Sequence, residues 1–103
     1  MKKLLLGCLL LLVLVTPATA DKCDAALAAV KAEPKVKSAA WGPSNVVLFV
    51  GVFDDGSRRD GFAEYVGLIL VEHGIRSATV HVMDEASALR GEGKILGRFT
   101  VRQ

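Results

Sequence analysis

Apolar and polar positions change their period several times along the chain, and each change marks an element. Ala25 to Val30 are mostly good helix formers, and Leu27 with Val30 gives an apolar pair at i, i+3. They predict a short helix capped by Asp24 and running to about Glu33, with Pro34 ending it. Val36 to Trp41 reads as a modest strand, and Gly42-Pro43-Ser44-Asn45 as a turn. Val46 to Phe53 is the strongest strand, because it is short, bounded by turn residues and rich in β-branched and aromatic side chains. Its two faces, Val46/Leu48/Val50/Val52 and Val47/Phe49/Gly51/Phe53, are both apolar.

Asp54-Asp55-Gly56 makes the next turn, and Ser57 with Asp60 resembles a capping box in which Asp replaces Glu. The helix it would open runs from Arg58 to about His73. Phe62, Val66, Ile69, Leu70 and His73 share one face, Tyr65 lies at its border, and Glu64, Leu68 and Glu72 mark the far side. Gly74 supplies the stop. From Arg76 to Met83, Ala78, Val80 and Val82 alternate with Ser77, Thr79 and His81, which is the pattern of a half-buried strand. Asp84 to Arg90 has room for one or two helical turns, and Gly91-Glu92-Gly93 is a flexible break. Lys94 to Val101 is a last strand, with Ile95, Phe99 and Val101 opposite Lys94, Arg98 and Arg102.

This order predicts an α+β fold, a two-layer sandwich of a four-stranded mixed sheet with two helices on one face. A tight turn makes the first two strands antiparallel, and the crossover helix makes the second and third parallel. One sheet face is then left uncovered. In this succession the chain resembles the BON domain of bacterial envelope proteins: Gly74-Ile75 leading into Ser77 to Val82 is similar to that family's Gly-Val turn before a strand. The similarity covers most of residues 21–103, as an order of elements. Phe53 to Arg59 stands where the family carries a glycine-containing pattern. The resemblance implies an envelope-associated domain that binds an anionic ligand or head group.

The start of the chain changes the picture of where it works. Met1-Lys2-Lys3, the apolar run Leu4 to Val15 and the small residues Thr16 to Ala20 have the three-part form of an export signal, with cleavage expected after Ala20. Leu5-Leu6-Gly7-Cys8 looks like a lipoprotein box, but the apolar run continues past Cys8. The expected mature chain is residues 21–103, periplasmic or secreted, with no transmembrane span. It is one small domain, burying about 60–65% of its unfolded surface.

The 13 basic residues of the 103-residue chain include Lys2 and Lys3, so the remainder only balances the 11 acidic ones. Without a cationic excess, nucleic acid is not an expected partner. Cys23 would be the only cysteine left after cleavage. An unpaired thiol near a frayed end in an oxidising compartment is a candidate for an intermolecular disulfide.

Three places could carry chemistry. Two arginines at a helix start oppose the helix dipole, so Ser57, Arg58 and Arg59 form a candidate anion site, against the simpler reading that Asp54, Asp55 and Asp60 neutralise them. Val47, Phe49 and Phe53, with Trp41, form a candidate interface on the uncovered face, unless residues 84–93 fold over it. His73, His81 and Asp84 are the only set suited to acid–base work, in no catalytic or metal-ligand spacing. The reading that results is a non-catalytic exported binding protein without metal or cofactor, partnered by a second copy of itself or by another envelope protein. An anion-binding envelope domain is the alternative, and a small metal-dependent or hydrolytic enzyme is the third reading.

Overall fold

The structure is a computed structural model that describes residues 18–103, with side chains from Asp21 onward. The expected apolar leader Leu4 to Val15 and the Leu5-Leu6-Gly7-Cys8 box lie outside the described residues. The elements are α1 (Ala18–Lys31), β1 (Ser38–Trp41), β2 (Val47–Val52), α2 (Asp60–Glu72), β3 (Ser77–Asp84), α3 (Glu85–Leu89) and β4 (Ile95–Arg102). The strands form one mixed sheet in the order β1-β2-β3-β4. β1 is antiparallel to β2, β2 parallel to β3, and β3 antiparallel to β4, so the α+β two-layer arrangement is the one the pattern predicts.

Alternation sorts each strand into two faces. On the helix side, Leu48, Val50 and Val52 of β2 lie beside Ala78, Val80 and Val82 of β3, all buried. Helix α1 adds Cys23, Ala26 and Val30, at i, i+3 and i+7, and α2 adds Ala63, Val66 and Leu70 at the same spacing. Each buried Val or Leu contributes roughly 1.5–3 kcal/mol relative to exposure, so this single cluster is the main stabilising element. Leu68, Glu64 and Glu72 fall on the outer side of α2, as its periodicity requires.

Glycine sets how closely α2 lies on the sheet. A Cβ on Gly67 would meet the Phe99 ring at 2.6 Å, and one on Gly97 would run into the backbone of Arg59 and Asp60. At that crossing Arg59 N donates to Leu96 O (3.0 Å), and Arg98 N donates to Asp60 Oδ1 (3.1 Å).

Four expectations are corrected here. Helix α1 is present from Ala18 instead of starting at Asp24, because no glycine or proline interrupts Ala18 to Lys22 and Asp21 favours the first turn. Helix α2 starts at Asp60, and Arg59 at its cap position has no side-chain cap bond. Ser57 forms no capping box with Asp60; it turns back to Asp55, whose Oδ1 accepts from Ser57 N (3.0 Å) and Ser57 Oγ (2.6 Å). The helix start is held instead by β4. In β4, the register shifts so that Gly97 faces Val82 while Ile95 faces Met83. Leu96 therefore enters the core in place of Ile95, which is 37% exposed. Finally, Trp41 pairs with Leu48 and points to the helices, where its Nε1 donates to Cys23 O (3.0 Å).

The Gly97 crossing is testable. Gly97→Ala should destabilise the fold by about 1–3 kcal/mol in urea unfolding, since backbone on the facing side cannot move aside. Gly61→Ala, at a helical position with nothing within 4 Å of the added atom, should be neutral or stabilising by up to about 1 kcal/mol.

Candidate functional site

The turn between β2 and α2 brings Ser57, Arg58 and Arg59 close together and bonds each to a neighbour in the turn, with Ser57 and Arg58 exposed and Arg59 largely covered. Gly56 N donates to Asp54 Oδ1 (2.9 Å) and Ser57 N to Asp55 Oδ1 (3.0 Å), which are the amides an anion would need. Arg58 Nη2 is paired with Asp60 Oδ2 at 2.7 Å. Arg59, whose side chain is only 12% exposed, donates from Nη2 to Phe53 O (2.8 Å) and faces Asp55 Oδ2 at 3.5 Å. Lys94 Nζ reaches Asp54 Oδ2 at 2.8 Å.

All three carboxyls are held below the ordinary aspartate range. Hydrogen bonds from Lys94 to Asp54, from Ser57 to Asp55 and from Arg58 to Asp60 are the leading causes. The turn thus pairs its cations with its own carboxylates.

Cys23 is not at an accessible end. It is buried beneath Trp41, and burial pushes the thiol pKa up, with Asp24 acting in the same direction against a hydrogen bond from Asn45. An intermolecular disulfide would require this turn of α1 to lift from the core, so the expectation of an accessible thiol is corrected.

The sheet face away from the helices is built of cross-strand rows. Ser38, Gly51, Met83 and Ile95 form one, Ala40, Phe49, His81 and Arg98 the next, and Val47, Thr79 and Thr100 a third. Helix α3 roofs only the first row. Glu85 Oε1 accepts from Ser38 Oγ (2.5 Å) and sits directly over Gly51, where any Cβ would collide with it. Asp84 caps α3 by accepting from Ser87 N (3.2 Å).

The other two rows stay open. There Phe49 is 37% exposed and meets His81 edge-to-face, with ring centroids 5.6 Å apart. Residues 84–93 therefore cover one end of this face and not the other.

The expected patch of four residues does not hold together. Val47 and Phe49 share the open rows, Trp41 is on the helix side, and Phe53 lies beyond Glu85. Phe53, 68% exposed, stands across from Leu89, 79% exposed, at an open cleft of about 590 Å³ at the carboxyl ends of β2 and β3. Leu89 was not legible as its partner, since nothing in the local pattern says which way a short helix after Asp84 turns.

His73, His81 and Asp84 are not assembled into one centre. His73 Nδ1 lies 2.9 Å from Ile69 O at the end of α2, whereas His81 is on the open face. Among the described residues no group of three or more His, Cys, Asp or Glu side chains could hold a metal ion. Among them, too, no helix is long and apolar enough to cross a membrane.

No family model, curated protein or solved structure matches the chain.

Two measurements follow from this geometry. The Cys23 thiol should react with a thiol reagent such as iodoacetamide only at the rate of unfolding, so labelling in native buffer should be slower than in urea by at least about 100-fold. Rapid native labelling would place Cys23 on the surface. His81 has its pKa lowered from 6.5 by burial and then by Arg98. A histidine depressed on folding binds its proton more readily in the unfolded chain, so stability falls as pH drops through about 6.5 towards the folded value. Urea midpoints at about pH 7.5 and pH 5.5 should show this fall, and His81→Gln should reduce it.

Proposed function

We propose that the chain is a non-catalytic binding protein, exported to the periplasm or beyond, that self-associates through the open end of its sheet. The observation that supports this most directly is the pair of open rows. Val47 and Phe49 form an apolar centre on a face whose other end α3 already roofs, with Thr79, Thr100 and Arg98 as a polar border. An apolar centre inside a polar rim is the usual anatomy of a contact surface. Two copies related by a two-fold axis would stack these rows sheet on sheet, covering the same residues twice.

Export is supported by the leader pattern of residues 1–20, and cleavage after Ala20 would leave Cys23, Ala26 and Val30 of α1 in the core. The Arg58/Arg59 turn gives less support to an anion site, because both arginines and the Gly56 and Ser57 amides already meet carboxylates within the turn, although Arg59 Nε is buried without a hydrogen-bond partner.

Light scattering on a sizing column, with and without reductant, tests the reading. The exported form should run as a dimer in both buffers, and Phe49→Asp should convert it to a monomer with an unchanged far-ultraviolet dichroism spectrum. A wild-type monomer at about 100 μM would overturn self-association through this face.

A further inference from the structure

Strand β4 forms one edge of the sheet, and its outer side is treated differently along its length. Near its start the edge is closed by α2, where Leu96 O accepts from Arg59 N and Asp60 Oδ1 accepts from Arg98 N. Beyond Arg98 no other element bonds to it among the described residues. Thr79, opposite Thr100, donates its N–H away from β4 to Val46 O (2.9 Å), and Gln103 N bonds back to Arg76 O (2.9 Å). Antiparallel pairing alternates inward and outward residues, so Thr100 and Arg102 turn both backbone groups outward, where no partner meets them among the described residues.

The side chains of this stretch have one sign of charge. Arg98 and Arg102 lie on the same face, four residues apart, and both are exposed. Neither forms an ion pair among the described residues, unlike Arg58, Arg59, Arg90 and Lys94. The protein itself shows what this edge accepts, since the Asp60 carboxylate already caps the N–H of Arg98.

From this we infer that the open half of the β4 edge binds an extended acidic segment of another protein, which adds to the sheet as a fifth strand. Backbone bonds to Thr100 and Arg102 supply the attachment, and carboxylates four residues apart on the incoming strand face Arg98 and Arg102. A second copy is the wrong occupant: pairing β4 with itself about Thr100 sets Arg98 of one molecule against Arg102 of the other. Exposed charge without such a partner guards edges against pairing, and here it selects the partner's sign. The inference does not depend on self-association through Phe49.

The test is a titration of the isotope-labelled exported protein, followed by amide NMR, with a heptapeptide alternating glutamate with valine or threonine and with its lysine counterpart. The amides of Thr100 and Arg102 should shift and become protected from exchange, and the glutamate peptide should bind about tenfold tighter than the lysine one. Arg98→Glu with Arg102→Glu should reverse that preference, while Arg90→Gln, in an exposed ion pair with Glu92 away from this edge, should leave the titration unchanged. The inference fails if the Thr100 and Arg102 amides are already protected in the free protein, if the two peptides bind equally, or if the shifts centre on Phe49 and His81. The wild-type response to the two peptides decides the matter even if a variant does not fold.

Discussion

The parallel pairing of β2 with β3 is the contact to which every other part of the molecule answers. Parallel neighbours cannot be joined by a tight turn, so the chain must leave the end of β2, cross one face of the sheet and re-enter at the start of β3. That crossing is α2, and its apolar stripe of Ala63, Val66, Ile69 and Leu70 closes the face on which Leu48, Val50, Val80 and Val82 lie. Once one face is committed to the crossover, the other is left for the short remainder of the chain. Helix α3 is long enough to roof a single cross-strand row, and the rows of Phe49 and Val47 stay open as a result.

Charge follows the same logic. The crossover begins in a turn of unusually high charge density, and at first sight the arginines there invite a ligand. The fold uses them for itself. Arg59 ties the turn to the end of β2 through Phe53 O, Lys94 ties Asp54 to the approach of β4, and Asp60 fastens α2 to the β4 edge. These groups hold the junction where two layers meet. The charges left without internal partners lie elsewhere, Arg98 and Arg102 on the outer strand among them.

What could be read from the chain before its structure was known follows the range of the interactions involved. The strand Val47–Val52, the stripe of α2 and the mixed sheet were legible because each is written in neighbouring residues: alternation, a spacing of three and four, a turn too short or too long for one geometry. The start of α2 was not, because Leu96 and Arg98 decide it from more than thirty residues away, not Ser57. The face of Ile95 was misread since a bulge reverses alternation without altering composition. Trp41 was placed with Phe49 on grounds of hydrophobicity alone, while its register against Leu48 puts it on the opposite side. Of the four residues expected to share one sheet face, only Val47 and Phe49 lie together on the open rows; register turns Trp41 to the helices, and α3 stands between these rows and Phe53.

Helix α1 also bears on the cleavage proposed after Ala20. It runs unbroken from Ala18 to Lys31, so the bond between Ala20 and Asp21 lies inside a helical turn in the folded chain. Proteases draw their substrates into an extended conformation, which a helical turn packed through Cys23 against Trp41 does not offer. If that bond is the one cut, cleavage and the docking of α1 compete for the same residues. Removal of the leader would then have to precede completion of the core, which would make the state of residues 18–23 a clock for maturation.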